Sequence, residues 1–399
     1  MTAPHLVRLL CLLATLAAGL AQAQAQVPER LQADVREAIV RVPARVEDAF
    51  GKPAEGELLV TTFRPAGPGP FPLAVISHGR DPDKRAEYRR PRYESAARYF
   101  VRKGFAVAVP LRLGYGVLAS AGDPENSVSC DAPRFGSALH AAAQQILAVR
   151  DFMSRQPDID ASRTVLLGVS VGGIATIAAT SAHAPGQVAA INFAGGHGGN
   201  PEKRPGSPCQ SDHLRRLYRA YAEDNARVAP ATPTLWVYAE NDRYFGPNHA
   251  SRWARAYANA GGAVDLRVLP PFGEDGHALF TAGNDVWQPL VDEFLKPLGF
   301  EQPGSVAAPA PVLALTGDAS PPPGSKPTQI AGFQKFLTTK SPRAFAFDGN
   351  GHWGYANGDD ARSRALARCR RNIRNEDDGT PASTCHLYAV DDAIVWSTP

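Results

Sequence analysis

The chain has 399 residues, 44% hydrophobic and 20% charged, a globular balance with length enough for one large core and a small second one. Its formal net charge of +3 excludes the strong field by which a protein holds nucleic acid or an acidic membrane surface.

Arg8 is followed by an apolar run over residues 9–20, too short to span a bilayer, and then by Ala21-Gln22-Ala23 and Ala23-Gln24-Ala25, both small-x-small cleavage sites. Residues 1–25 therefore read as a signal peptide, and the mature protein is expected to be periplasmic or extracellular, off the membrane once cleaved. A retained anchor is the alternative. Cys11 lies within the apolar run rather than at the cleavage point, which argues against a lipoprotein. Cleavage leaves Cys130, Cys209, Cys369 and Cys385. An even count in an exported chain predicts two disulfides, Cys130 with Cys209 and Cys369 with Cys385, because a linker separates the two sets. Free buried thiols are the other reading.

Residues 27–50 form a charged amphipathic lead-in. Residues 57–64 read as a strand, residues 65–72 as a Pro/Gly turn, and residues 73–77 as a continuous apolar strand ending at His78-Gly79. Helical spacing runs over 87–103, a buried strand over 105–109 stopped by Pro110, and a helix over 137–155. Beyond residue 164 the alternation continues: strand, helix, strand at 188–193, helix at 211–227 within an insertion that starts at Gly195, strand at 233–239, helix at 249–260, strand at 264–269 and helix at 286–294. Repeated βα units with continuous apolar strands predict an α/β fold, a mostly parallel sheet with helices on both faces, over residues 27–300. Residues 301–327 are a Pro/Ala/Gly-rich linker, and 328–399 a small α+β domain of β-β-α-β-β order. A Cys369–Cys385 bridge would staple so small a core. Zinc at Cys369, Cys385, His352 and His386 is the weaker alternative, since no C-x-x-C spacing is present.

Chemistry concentrates at Gly168-Val169-Ser170-Val171-Gly172-Gly173, between the strand Thr164-Val165-Leu166-Leu167 and a helical run. A Gly-x-Ser-x-Gly match alone is weak, but a strand–turn–helix setting is what an exposed nucleophilic serine requires. A serine hydroxyl needs a base, an acid to orient that base, and donors for the developing oxyanion. Asp242, just past the strand at 233–239, is the candidate acid, with Glu240 its rival. His277, in the loop after the strand at 264–269, is the candidate base. Val171 N–H and Arg80 N–H, the latter in Ser77-His78-Gly79-Arg80, are the candidate oxyanion donors. Tyr115, Tyr244, Phe245 and Phe280 flank the expected site loops and are candidates for an apolar substrate-binding pocket. Core packing is the competing use. The basic stretch Arg80, Lys84, Arg85, Arg89, Arg90 and Arg92 is offset by Asp81, Asp83 and Glu87 and reads as a solvated face.

With Arg64-Pro65-Ala66-Gly67 before Pro70-Phe71-Pro72, Ser77-His78-Gly79, Gly168 to Gly173, Glu240-Asn241-Asp242 and Gly276-His277, the chain resembles the α/β-hydrolase superfamily over about residues 50–298. Within it the likeness is to the dienelactone-hydrolase-like and secreted carboxylesterase branch. That resemblance implies cleavage of small-molecule carboxylic esters through an acyl-serine, with no metal or other cofactor. Dienelactone hydrolases themselves use a cysteine nucleophile, so serine here favours ordinary esters. A peptidase or amidase with the same triad, and a non-catalytic binding protein on the same fold, are the rival readings. In the C-terminal part, Trp353-Gly354-Tyr355-Ala356 with Ala365-Leu366 and Cys369 resembles small domains appended to bacterial secreted proteins, a likeness that carries no activity. Trp353, Tyr355 and Trp396 form either an aromatic patch or a small core.

Overall fold

Strands that are apolar on every residue must be covered on both faces, and the centre of this molecule is built that way. The computed structural model describes residues 31–228, 230–300, 321–373, 385–391 and 393–395. The segment expected to be a signal peptide, most of the expected linker and Trp396 lie outside them. The described residues from Gln32 onward form one compact unit. Eight strands, β1 (Ala38–Glu47), β2 (Pro53–Phe63), β3 (Phe71–Ser77), β4 (Ala106–Leu111), β5 (Ile159–Val169), β6 (Gln187–Phe193), β7 (Thr234–Ala239) and β8 (Val264–Leu269), make one sheet in the order β1-β2-β4-β3-β5-β6-β7-β8. β1, β2 and β4 pair antiparallel, and every pair from β4 to β8 is parallel.

All six residues of β4 and of β7 are buried. Alternate residues feed two cores. Leu73, Val75, Trp236 and Tyr238 face one layer with α2 (Phe135–Ser154), α3 (Val171–Thr180), α4 (Ser211–Asn225) and α5 (Pro247–Asn259). Ala74, Ile76, Leu235 and Val237 face the other, with α1 (Glu94–Arg102) and α6 (Asn284–Leu295). Burying each large side chain contributes about 1.5–3 kcal/mol.

Three expectations shift. The lead-in holds a ten-residue edge strand, β1, in which Val42, Ala44 and Val46 are buried while Arg41, Pro43, Arg45 and Glu47 face solvent. A half-exposed edge tolerates proline and charge, which disguise its period of two. The helix expected from residue 87 starts at Glu94, because Pro91 and Tyr93, at φ 42°, break the backbone before it. The basic stretch is not a solvated face throughout. Lys84 and Arg89 are exposed, but Arg80 and Arg85 pair with Asp123, and Arg90 and Arg92 with Glu37.

Past the linker, α7 (Pro327–Leu337), which the sequence reading did not anticipate, precedes β9 (Arg343–Phe347), β10 (Trp353–Asn357), α8 (Ala361–Ile373), β11 (His386–Val390) and β12 (Ala393–Ile394). The four strands form an antiparallel sheet in the order β10-β9-β11-β12. Ala365, Leu366 and Cys369 of α8 pack on one face, Phe333 and Phe336 of α7 on the other. Trp353 lies flat beside Phe345 and Tyr355, at 5.9 and 6.2 Å between ring centroids. Two disulfides, Cys130–Cys209 and Cys369–Cys385, join the cysteines as expected. The second removes both sulfurs as metal ligands, and His352 donates its Nδ1–H to Asp348 at 2.6 Å instead.

Candidate active site

The strand order reverses at β3, which lies between β4 and β5, and ligands of open α/β sheets gather outside the carboxyl ends of strands at such a point. Ser170 stands there, between β5 and α3, at φ 59° and ψ −126°. A non-glycine residue at positive φ is strained, and the strain holds the side chain out of the helix it begins. The turn is this tight because α3 starts against the end of β3: a Cβ on Gly172 would lie 2.4 Å from the carbonyl oxygens of both Ser77 and His78. Val171, first in the helix, has no intrahelical partner for its N–H, and neither it nor Arg80 N–H donates to a described acceptor. A Cβ on Gly79 would lie 3.1 Å from Ser170 Cβ, so the loop after β3 runs directly over the serine.

Asp242 and His277 meet across the ends of β7 and β8. Asp242 is buried and its Oδ1 accepts the backbone N–H of Tyr244 at 2.8 Å and of Phe245 at 2.9 Å. His277 Nδ1 lies 3.0 Å from Asp242 Oδ2 and 3.2 Å from Oδ1. An ionised carboxylate can only accept, so Nδ1 carries the proton and Nε2 is the basic nitrogen. Two further contacts hold the ring: His277 N–H donates to Asp275 Oδ1 at 2.9 Å, and the imidazole stacks on Tyr244 at 4.2 Å between centroids. Glu240, the rival acid, is exposed. Ser170 Oγ makes no hydrogen bond to a described side chain. Phe245 links the two parts, since it lies against His277 and lines the same cavity as Ser170.

A buried polar cluster supports the loop after β3. The Arg112 guanidinium donates to Ser77 Oγ at 2.9 Å and to the His78 carbonyl at 2.7 Å, and it pairs with Glu125 at 2.6 Å. Glu125 also accepts from Tyr115 Oη at 2.7 Å and Gln145 Nε2 at 3.1 Å. His78 Nε2 accepts the Arg112 N–H at 3.2 Å, so its Nδ1–H donates to the Gly79 carbonyl at 2.6 Å. Burial, then the Arg112 charge, pushes the His78 pKa well below the usual imidazole range and keeps the ring neutral. The Arg80 side chain is held away from its own backbone by Asp123, at 2.7 and 3.0 Å, and by Tyr115 Oη at 2.9 Å. Arg112, Glu125, Asp123 and Gln145 were missed in the sequence. The available signal was a charged residue, Arg112, just past the end of an apolar strand.

A cavity of about 700 Å³ opens beside the serine. Ser170, Val171, Arg80, His197, Tyr244 and Phe245 line it, as do Asn126, Ser127, Asn200 and Arg204. Of the four aromatics expected there, Tyr244 and Phe245 are in place. Tyr115 is instead consumed by the Glu125 cluster, and Phe280 is buried among Tyr93, Phe193 and Trp287. Both lie near the loops in sequence, but their rings point into packed interior. The lining is thus more polar than an alkyl-chain pocket.

No family model and no curated protein matches the chain. Among solved structures it is similar to a Klebsiella pneumoniae protein designated a dienelactone hydrolase, at 16% identity over 61% of this chain and 89% of that one, with TM-score 0.39. It is similar to Thermogutta terrifontis esterase 2, at 17% identity over 69% of this chain and 100% of that one, TM-score 0.44. It is also similar to the Pyrococcus horikoshii acylaminoacyl peptidase, at 15% identity and TM-score 0.45 over 70% of this chain, which spans 44% of the peptidase's length. At these identities the matches define no family. The strand order, the strand–serine–helix turn and the succession of the Ser170, Asp242 and His277 loops across the sheet are features of the chain itself, and they give it the α/β-hydrolase fold.

Proposed function

We propose that the protein is an exported serine hydrolase that cleaves carboxylic esters through an acyl-Ser170 intermediate. The observation that carries this reading is the hydrogen bond from His277 Nδ1 to the buried Asp242 carboxylate at 3.0 Å, in a chain whose Ser170 is held at an elbow and open to a cavity that Phe245, the neighbour of His277, also lines. His277 Nε2 takes the Ser170 proton as Oγ bonds to the ester carbonyl carbon. The carbonyl oxygen becomes an oxyanion, met by the N–H groups of Val171 and Arg80. The imidazolium then gives its proton to the departing alkoxide, leaving the acyl-serine and the alcohol. Water, deprotonated by the same nitrogen, releases the acid and restores Ser170. Serine-to-base contacts are commonly looser before substrate binds, which accommodates a Ser170 hydroxyl that bonds no side chain among the described residues. The two disulfides, with the apolar run and small-x-small sites read over residues 1–25 as a leader, support an oxidising compartment outside the cytoplasm.

A fluorophosphonate probe tests the reading. Wild type is labelled at Ser170 and turns over p-nitrophenyl acetate; Ser170→Ala loses the label and at least about a thousandfold in kcat/KM. Undiminished turnover in the variant would overturn the assignment. An anilide panel run alongside decides between ester and amide cleavage.

A further inference from the structure

Charge in the wall of the cavity beside Ser170 is left unbalanced by this chemistry. Arg80, Arg85, Lys203 and Arg204 line it, against the carboxylates of Asp83 and Asp123. Asp123 serves two of the cations: Arg80 donates to both its oxygens, and Arg85 lies 3.6 Å from it. Asp83 is exposed, and His197 in the same wall is neutral, its pKa pushed down to about 3 by burial and then by the Arg80 charge. Lys203 and Arg204 have no carboxylate in ion-pair contact among the described residues. Both sit on one short turn in the insertion between β6 and β7. Asn200 Oδ1 accepts the backbone N–H of Glu202 at 3.1 Å and of Lys203 at 2.8 Å, and the Asn200 carbonyl accepts that of Arg204 at 2.9 Å. An asparagine bonded to the backbone just ahead of it fixes such a turn. Glu202 is exposed and lies outside the cavity lining. The Arg204 guanidinium is anchored through one nitrogen: Nη2 donates to the Gly198 carbonyl at 3.3 Å and to Cys130 Sγ, half of the Cys130–Cys209 disulfide, at 3.4 Å. Its Nε is enclosed without a partner, whereas Nη1 is neither bonded nor enclosed.

We infer, on the reading of the site given above, that Arg204 and Lys203 form an anion subsite of the catalytic cavity, and that the preferred ester carries an ionised carboxylate remote from the scissile bond. A neutral alkyl or polyol group would leave both charges without a counter-ion. A guanidinium held still by its neighbours loses little freedom when it meets an anion, and its bond to a carboxylate is about twice as strong as one between neutral groups. Holding the turn calls only for Nη2 of Arg204 and gives Lys203 no part. The lining amides and hydroxyls of Asn126, Ser127 and Asn200 can donate to the same carboxylate. The cavity, at about 700 Å³, admits an ester of this kind whole.

The test measures kcat/KM by pH-stat on pairs of esters that differ only in the remote charge. Monoethyl succinate, glutarate and adipate carry the carboxylate in the acid half and are compared with ethyl butanoate, pentanoate and hexanoate. The acetate ester of hydroxybutanoate carries it in the alcohol half and is compared with butyl acetate. Wild type is expected to favour the charged member of at least one pair by roughly tenfold or more, and that pair shows which half of the ester meets Arg204. Salt at about 1 M, where the screening length falls to about 3 Å, should shrink the preference. Arg204→Met abolishes it, Arg204→Lys keeps most of it, and Lys203→Glu lowers it. Lys203 is exposed and only its backbone holds the turn, so Lys203→Glu reads the inference even where Arg204→Met fails to fold. No preference in any wild-type pair, or one that either Arg204→Met or Lys203→Glu leaves unchanged, overturns it. Binding is read without turnover by calorimetric titration of Ser170→Ala with glutarate, which Arg204→Met should weaken. Binding of inorganic phosphate with none of glutarate would refute the carboxylate. Glutarate bound by a protein that no fluorophosphonate labels would sink the hydrolase reading and leave the subsite standing.

Discussion

Asp242 spends its carboxylate on three partners: the N–H groups of Tyr244 and Phe245, and His277 Nδ1. An amide at that position can donate as well as accept, so it leaves the imidazole free to adopt the wrong tautomer. Asp242→Asn is expected to lower kcat for p-nitrophenyl acetate by about 10³–10⁴-fold with the fold retained, checked by steady-state kinetics beside circular dichroism. The buried histidines make a second test at this scale. His78 and His197 both have pKa values pushed down by burial, so between the folded values and the unfolded value near 6.5 the unfolded chain binds more protons. Their stabilising contribution is thus full above about pH 6.5 and is lost as pH falls, for His197 down to about 3. Each can contribute a slope of at most about 1.4 kcal/mol per pH unit. Guanidinium titrations from about pH 7 to about pH 4 should show stability falling with pH, less steeply in His197→Gln. The candidates Ser170, Asp242 and His277 were legible because each sits at a strand end in a recognisable order. His197 was not, because its burial in the cavity wall depends on which strand ends the sheet brings together.

Among the elements, the loop after β3 depends on a cluster drawn from three separate places in the chain. Arg112 directly follows β4, Glu125 lies further along the same loop, and Gln145 is on α2. Removing one member of a buried ion pair strands the other charge, so Glu125→Gln is expected to cost about 3–5 kcal/mol in denaturant unfolding. The double variant Arg112→Met/Glu125→Leu removes both charges and should regain much of that stability. It cannot regain the donors to Ser77 and the His78 carbonyl, so kcat should stay depressed. Equal recovery of rate and stability would show that the cluster does not position the loop. Sequence periodicity predicted nearly every βα unit of the large sheet, since continuous apolar strands and one-sided helices are local patterns. It missed β1 and the late start of α1, where edge exposure and backbone breaks mask the period.

For the molecule as a whole, the disulfides divide their work. Cys369 and Cys385 are 16 residues apart and staple α8 to the small sheet, whereas Cys130 and Cys209 are 79 apart and tie two segments beside the cavity. Loop-closure entropy gives about 3 kcal/mol for the first and about 4.5 kcal/mol for the second. Cys130→Ser/Cys209→Ser is expected to lower both thermal stability and ester turnover. Cys369→Ser/Cys385→Ser should lower the resistance of the C-terminal sheet to limited proteolysis and leave turnover near wild type. Helix α8 is also fastened to the start of α1, through Arg92 Nη1 to Ser363 Oγ at 2.7 Å and Arg362 to Glu94 at 3.5 Å.

From the residues alone came the α/β architecture, the serine elbow, the order of the acid and base candidates and the pairing of the cysteines. All of these are set by patterns within a few residues or by order along the chain. Tertiary structure decided the rest: that Tyr115 and Phe280 face packed interior, that four arginines of the basic stretch are matched by acids distant in sequence, and that a neutral, buried histidine lies in the cavity wall. Direction of a side chain, and the polar groups it meets, depend on which strand ends the sheet brings together. No local spacing encodes that.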